Sequence, residues 1–567
     1  MPKPILMLCL LGTIPLQAQD RYGVVISEFM ADPTPPVRLP QAEWIELRNT
    51  GPGPVQLLNW RIGDDQGSSG AFPALQLQPD SSVIICSSGN AAVLAPYGRV
   101  LPVSGFPTLD NEGDLLWVRN ASGRVMHAVS YSIRWYAHDW KKDGGWSLEM
   151  IDPLNPCGGS GNWSASTDPA GGTPGRRNAT DARRSDTDGP RPLHAYTTDP
   201  FSIILCFNEP VDSTSGATTQ HYAADGLQWT SAQTLPPLFD RVRLRSTVPL
   251  LTGKIYTLTV TGVRDCRGNE MAEALNIRTG LPATPGPGDW IINEVLFNPR
   301  SNAFDFVEFL NRSDKILDAS ELFLAGRNGS GILQSPIALH PTPRYLFPGE
   351  LCVVTEDAAS LRQEYPIADT DRIFEVGELP SLPDDAGTVV TFNARGSITD
   401  ELRYLDDWHF PLLSDPEGVS LERIDPAGPT QDRNNWHSAA STTGFGTPGR
   451  RNSQYREAGI SNGMMTLSSR LFSPDQDGRD DILQLHYRTD GPGWIGIVRI
   501  HDVAGRVVRR LVRNDLMGVS GTWTWDGTDD TGRALGAGLY VVDSQWFRTD
   551  GRKQQQLLPV ILARRFN

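Results

Sequence analysis

The chain lacks a basic surplus: 51 Lys and Arg stand against 66 Asp and Glu in 567 residues, a formal net charge of −15 at pH 7. That balance argues against a nucleic-acid binder held by phosphate neutralisation, and no run of like charges forms a basic arm or an acidic tail. Long hydrophobic runs are missing too. Beyond the first residues, no apolar stretch approaches the roughly 20 residues that a membrane helix needs. Among six Cys and nine His there is no C-x-x-C pair and no H-E-x-x-H, which leaves zinc chemistry without its usual ligand spacing. Long amphipathic helical patterns are absent as well. What abounds is punctuation: 55 Gly and 44 Pro separate many short β-branched or aromatic runs. Such a pattern favours all-β sandwiches or barrels, and the length predicts roughly three to five domains.

Two stretches 273 positions apart repeat each other. Ser147-Leu148-Glu149-Met150-Ile151-Asp152-Pro153, Asn162-Trp163 and Gly172-Thr173-Pro174-Gly175-Arg176-Arg177-Asn178 form the first. Ser420-Leu421-Glu422-Arg423-Ile424-Asp425-Pro426, Asn435-Trp436 and Gly446-Thr447-Pro448-Gly449-Arg450-Arg451-Asn452 form the second. The spacing already holds at Leu109/Leu382, Tyr131/Tyr404 and Trp135/Trp408. One folded unit is therefore used twice, and what both copies share points first to architecture.

The front ends correspond as well: Ile26-Ser27-Glu28 through Asp32-Pro33 matches Ile292-Asn293-Glu294 through Asn298-Pro299, and Trp44-Ile45-Glu46-Leu47 matches Phe306-Val307-Glu308-Phe309. These motifs, with the closing N-W and G-T-P-G-x-x-N, resemble bacterial lamin-tail domains. The resemblance covers residues 22–180 and 288–455 and implies an immunoglobulin-like β-sandwich with no active site of its own. Between them, residues 185–285 carry Phe207-Asn208-Glu209-Pro210-Val211-Asp212 and Val263-Arg264-Asp265-Cys266-Arg267-Gly268-Asn269, which is similar to bacterial Ig-like spacer modules. Residues 462–567 contain Ser473-Pro474-Asp475-Gln476-Asp477-Gly478, Trp525-Asp526-Gly527 and a closing apolar run over 557–563. That module resembles the Ig-like domain of flagellar hook-capping proteins and the C-terminal sorting domains of type IX secretion cargo.

Residues 1–18 read as a secretory signal, with Lys3, an apolar stretch and a small-residue site at Ala18. Five cysteines then remain, so at least one is unpaired within a monomer. Two intradomain disulfides, Cys86–Cys157 and Cys206–Cys266, are open to the chain. So is the reading in which Cys86, Cys206 and Cys352 are small buried hydrophobes.

Candidate chemistry is sparse. Asp475, Asp477 and Asp481 gather oxygen ligands around a turn at Gly478 that could wrap Ca2+, or could form an Asx-turn loop instead. Glu28/Glu294 and Glu46/Glu308 form acidic pairs in both copies; a glycosidase would use such a pair, but duplication favours carboxylates that accept backbone or Arg hydrogen bonds at a strand edge. The strings around Ser461 and over 491–496 match a nucleophile elbow and a dinucleotide fingerprint only as strings. Trp135, Tyr136 and Trp140, with Trp408, His409 and Phe410 in the matching place, are either sandwich core or a sugar-binding platform.

The sequence thus predicts four tandem Ig-like β-sandwich modules and a non-catalytic, secreted or outer-surface scaffold or binding protein. Its expected partners are a secretion or attachment machinery met through the C-terminal module and an extracellular protein or glycan. No nucleic acid, integral membrane segment or cofactor other than calcium is expected. The alternatives are a carbohydrate-binding adhesin and an accessory part of a secreted hydrolase system. A hydrolase finds little room, because four sandwiches leave only linkers.

Overall fold

The computed structural model describes residues 21–367, 369–456 and 464–564. The expected signal at 1–18 and the string around Ser461 lie outside them. The chain is all-β and divides into two compact units, one of residues up to 251 with 255–279 and one of 252–254 with 280–567.

In the first unit, a six-stranded sheet runs in the order Trp163–Ala165, Leu148–Met150, Val24–Met30, Trp44–Asn49, Ser82–Ser87, Val100–Val103. A three-stranded sheet of Arg61–Gly63, Gly113–Arg119 and Val125–Ser132 lies against it. Ile26, Phe29, Ile45 and Leu47 from one sheet meet Ile62, Leu116, Val118 and Val129 from the other in one apolar core. The strand Val24–Met30 is buried at all seven positions. Its second face packs too, with Met30, Trp44, Ile84 and Cys86 in a separate cluster. Ser82–Ser87 and Val100–Val103 pair in parallel across the short helix Ala91–Leu94.

Residues 192–279 of this unit form two further sheets, of four and three strands. The strand Ser202–Phe207 sits inside the four-stranded one, and Tyr256–Val260 is central to the three-stranded one.

Of the two readings open for the cysteines, neither intradomain pairing forms, and Cys86, Cys206 and Cys352 are buried as the other reading has it. Cys157 bonds Cys266, 109 positions away, so the link crosses from the first sandwich to the spacer module. Cys86, Cys206 and Cys352 are buried thiols. The reason is placement: Cys86 and Cys206 lie inside strands, where they pack as apolar side chains, whereas Cys157 and Cys266 sit on loops.

The second unit repeats the first sandwich. Its six-stranded sheet runs Ile373–Glu375, Leu351–Thr355, Phe306–Asn311, Trp290–Leu296, Leu421–Arg423, Trp436–Ser438, with a parallel edge pair bridged by the helix Ala358–Glu364. A four-stranded sheet closes the core through Leu324, Val389, Leu402 and Tyr404. The C-terminal module adds sheets of three and five strands around Trp525, Phe472 and Val542. The expected late apolar strand is Lys553–Leu562, which pairs with Gly538–Arg548.

Within this unit the last module docks directly on the sandwich of the second repeat. Phe410 joins Ile495 and Leu516 in a buried cluster. Val519 N–H donates to the Ser453 carbonyl at 2.7 Å, and Ser441 Oγ donates to the Leu516 carbonyl at 3.0 Å.

Candidate functional site

The most chemically unusual feature of each repeat is a row of three buried glutamates. Glu149, Glu28 and Glu46 face one another on neighbouring antiparallel strands, as do Glu422, Glu294 and Glu308. Each of the six has no solvent exposure. Alternation places them: Trp44 and Glu46 point to one face while Ile45 and Leu47 point into the core.

A carboxylate row opposed across strands would repel itself unless it were capped, and the G-T-P-G loop provides the cap. Glu28 accepts from Thr173 N–H at 2.7 Å and from Ser147 Oγ at 2.6 Å. Gly175 N–H donates to Glu46 at 2.6 Å, and Thr180 donates to Glu149 through both N–H and hydroxyl. The second copy reproduces this with Thr447 N–H on Glu294, Gly449 N–H on Glu308 and Gln454 N–H on Glu422. Asn178 and Asn452 close each loop by donating to two strand carbonyls. The glutamate-bearing strands lie inside their sheets, so the expectation of carboxylates at a strand edge is corrected. The donors that hold them are amides and hydroxyls rather than arginines.

Burial, and then neighbouring glutamates, push Glu28, Glu294 and Glu308 well above the ordinary carboxylate range. The geometry agrees with this direction. Thr173 Oγ1 lies 3.0 Å from Glu28 Oε2 and 3.0 Å from Glu149 Oε1. Thr447 Oγ1 lies 2.9 Å from Glu294 Oε2 and 2.7 Å from Glu422 Oε1. A hydroxyl has one proton to donate, so a proton on Glu28 or Glu294 would let the second contact at each threonine form without sharing that hydrogen. The rows stay sealed from solvent. They offer no surface on which a substrate could meet an acid and a base.

Sequence reasoning singled out two members of each row and missed Glu149 and Glu422. The signal was present: each stands alone between large side chains, in Leu148-Glu149-Met150 and Leu421-Glu422-Arg423, as Glu46 stands between Ile45 and Leu47.

The predicted calcium residues Asp475, Asp477 and Asp481 come together, with carboxylate oxygens within 4.8 Å of one another. Both Asp481 oxygens accept backbone amides, from Gln476 at 2.6 Å and Gly478 at 2.8 Å, and Asp477 accepts Arg479 N–H at 2.9 Å. The loop is thus held by its own amides at Asp477 and Asp481, and a Ca2+ ion there would need further oxygens from backbone carbonyls or water beside the three carboxylates. A second acidic group lies beside the disulfide, where Asp186, Glu209 and Asp265 cluster near Cys157. Asp265 accepts the amides of Arg267 and Asn269. Burial, then Asp186 and Asp265, push Glu209 up to about 8, so it carries a proton at neutral pH.

The aromatic segments diverge between copies. Trp408 is buried in the core, Trp135 is half-buried against its own core, and Tyr136 is buried. His409 is buried, with Nδ1 2.9 Å from Ser438 Oγ. Trp140 instead is 57% exposed. Its ring lies parallel to that of His138, at an interplanar angle of 12° and 6.0 Å between centroids. The edge of the same ring meets Trp146 at 5.1 Å and 85°.

The lamin tail domain family matches residues 17–132, which overlap the first repeat up to its strand Val125–Ser132. No curated protein matches the chain. Among solved structures, the N-terminal part of the bacterial S-layer protein SbsC is similar at 13% identity and a TM-score of 0.16, over 38% of this chain and 44% of that one. This chain therefore spans less than half of that structure's length. Dimeric latent PorU from Porphyromonas gingivalis is similar at 10% identity and a TM-score of 0.15, over 71% and 35%. A Ca2+-stabilised, ice-binding adhesin of an Antarctic bacterium is similar at 8% identity and a TM-score of 0.12, over 95% and 99%.

Proposed function

We propose that this chain is a non-catalytic protein of the outer cell surface, a β-module scaffold with binding capacity, exported through its C-terminal module by type IX secretion. One observation carries the non-catalytic reading. The sharpest acidic residues that both repeats share are the glutamate rows with their G-T-P-G caps, and all six glutamates are sealed and hydrogen-bonded. The duplicated motif is thus architecture, and binding falls to surfaces in which the copies differ. The lamin-tail match at residues 17–132 supports the module assignment. The Cys157–Cys266 bond supports an oxidising compartment. The export route rests on the resemblance of residues 462–567 to sorting domains.

Protease shaving of intact cells tests the reading, with the full chain beside a chain ending at Asn452. The full chain is expected to be cleaved and the shortened one to be protected inside the envelope. Shortening uncovers Phe410 and removes Gln454, so the protease resistance of residues 288–452 in the purified shortened chain is followed as the sign that the second repeat has folded, and the Cys157–Cys266 bond on non-reducing gels as the sign for the first unit. Equal surface cleavage of both chains overturns the export route.

A further inference from the structure

The two lamin-tail-like repeats present one corresponding face, and in the second repeat that face is filled. Phe410 inserts between Ile495 and Leu516, with Leu413 and Phe547 packed around them. Gln454, fully buried, donates to the Met517 carbonyl at 3.3 Å. These residues specify what a protein module needs there: an aromatic knob, an aliphatic shoulder and a crossing amide.

The first repeat carries none of the three. Aligned on the shared motifs, Ala137 replaces Phe410, Thr180 replaces Gln454 and Trp140 replaces Leu413. The knob is missing and a flat indole stands in the open. Beneath it, the buried Lys141 is tethered by its ammonium to the Ser166 carbonyl at 2.6 Å and lies 4.5 Å from the Trp146 ring centroid and 5.3 Å from that of Trp140. Trp146, half-buried, supports the indole edge-on. The platform is therefore held before any ligand arrives. Its rim is polar: Asp139 and Lys142 form a 2.8 Å ion pair, and Asp143 is exposed beside them.

Trp140 is the most exposed Trp, Tyr or Phe among the described residues, and an indole held on a braced support is a ready contact surface. A protein partner would demand a wider apolar patch than one indole with a charged rim. A pyranose ring meets the geometry better. Its C–H face is flat and apolar and lies on an indole of negative quadrupole, while its equatorial hydroxyls reach outward to carboxylate and ammonium groups. We infer that the His138–Trp140–Trp146 face binds a pyranose-containing glycan, with Trp140 as the stacking platform and Asp139 and Lys142 as hydrogen-bonding partners for the rim hydroxyls.

This inference deepens the reading of the chain as a surface binding protein, and it is tested on the purified full chain so that the two fail separately. The measurement is affinity electrophoresis in native gels containing laminarin, xylan, galactomannan or soluble glycol chitin. At least one is expected to retard the chain. Trp140→Ala is expected to weaken that retardation by about tenfold, the loss of one aromatic anchor, while leaving the melting temperature unchanged because the indole is mostly solvent-exposed. Lys142→Ala is expected to reduce it to a smaller extent. If none of the four polysaccharides retards the chain, or if Trp140→Ala migrates as the parent does, the glycan site is overturned. Neither result bears on the shaving experiment, and an intracellular location with Trp140-dependent retardation would overturn only the export reading.

Discussion

A threonine hydroxyl has one proton to give, and Thr173 and Thr447 each touch two carboxylates. At residue scale, burial of Glu28, Glu46, Glu294 and Glu308 favours their protonated forms, with a consequence whose sign is fixed. The row carboxyls titrate in the unfolded chain near the ordinary value of 4.5, whereas burial raises Glu46 to about 7 and Glu294 to about 8 in the fold. A folded state that binds its proton more tightly is most stabilised below the unfolded value and loses that stabilisation as pH rises through the folded one. Unfolding free energy, from urea melts at pH 5, 7 and 9, should therefore fall across this window by a few kcal/mol. Glu294→Gln replaces the proton by an amide that can donate to Thr447, so its melts should show a shallower decline, and its stability at pH 9 should match or exceed that of the parent. A parent whose stability is flat or rising from pH 5 to 9 would contradict the protonated row. Two members of the row were legible in the sequence because duplication exposed them. Their burial was not, since a Glu in a strand reads as a solvent-facing position until a covering loop is known to lie on it.

The covering loop is the element that turns the row from repulsive to satisfied, and its glycine is placed for two separable reasons. Gly175 and Gly449 both have left-handed backbones, with φ of 74° and 73°. Both aim their N–H at a buried glutamate at 2.6 Å. A Cβ on Gly175 would also collide with the Tyr97 carbonyl oxygen, whereas one on Gly449 would only press Ile367 Cγ2 at 3.2 Å. Backbone strain alone costs about 1–2 kcal/mol. Gly449→Ala should fall in that range, and Gly175→Ala should exceed it, because a fixed carbonyl cannot move aside and the bond to Glu46 is lost with it. Thermal melts of the two variants, each against the parent, check the order. Equal losses would mean that the Tyr97 contact relaxes without cost. The repeated G-T-P-G was legible as a motif from its spacing. What it does was not, because its partners Glu28 and Glu46 lie 145 and 129 positions away from Thr173 and Gly175.

At the scale of the whole molecule, the modules group in pairs. Strand patterns and punctuation revealed the sandwiches, since each strand signals its own existence through local alternation. How the modules join was hidden, because it depends on side chains far apart in sequence. Cys157 and Cys266 each looked toward a nearer cysteine, and Phe410 read as core or platform, yet these residues tie the first sandwich to the spacer and the second sandwich to the last module. The two joints differ in kind, which yields a discriminating expectation. The first unit is closed by a bond spanning 109 positions, worth about 4–5 kcal/mol by loop-closure entropy. The second unit contains a single cysteine, the buried Cys352, and is held by non-covalent contacts. Calorimetric scans should then show one transition that a phosphine reductant lowers by about 10 °C, given roughly 2–4 °C per kcal/mol for units of this size, and a second that the reductant leaves in place. Cys157→Ser should reproduce the shift without reductant, and hydrogen exchange should assign the lowered transition to residues up to 279. A reductant that lowers both transitions would show that the disulfide's stabilisation reaches beyond the pair of modules it links, and one that lowers neither would place the stability of the first joint in Arg21, whose guanidinium stacks on Phe239 at 3.3 Å and donates to Ser213 at 2.8 Å.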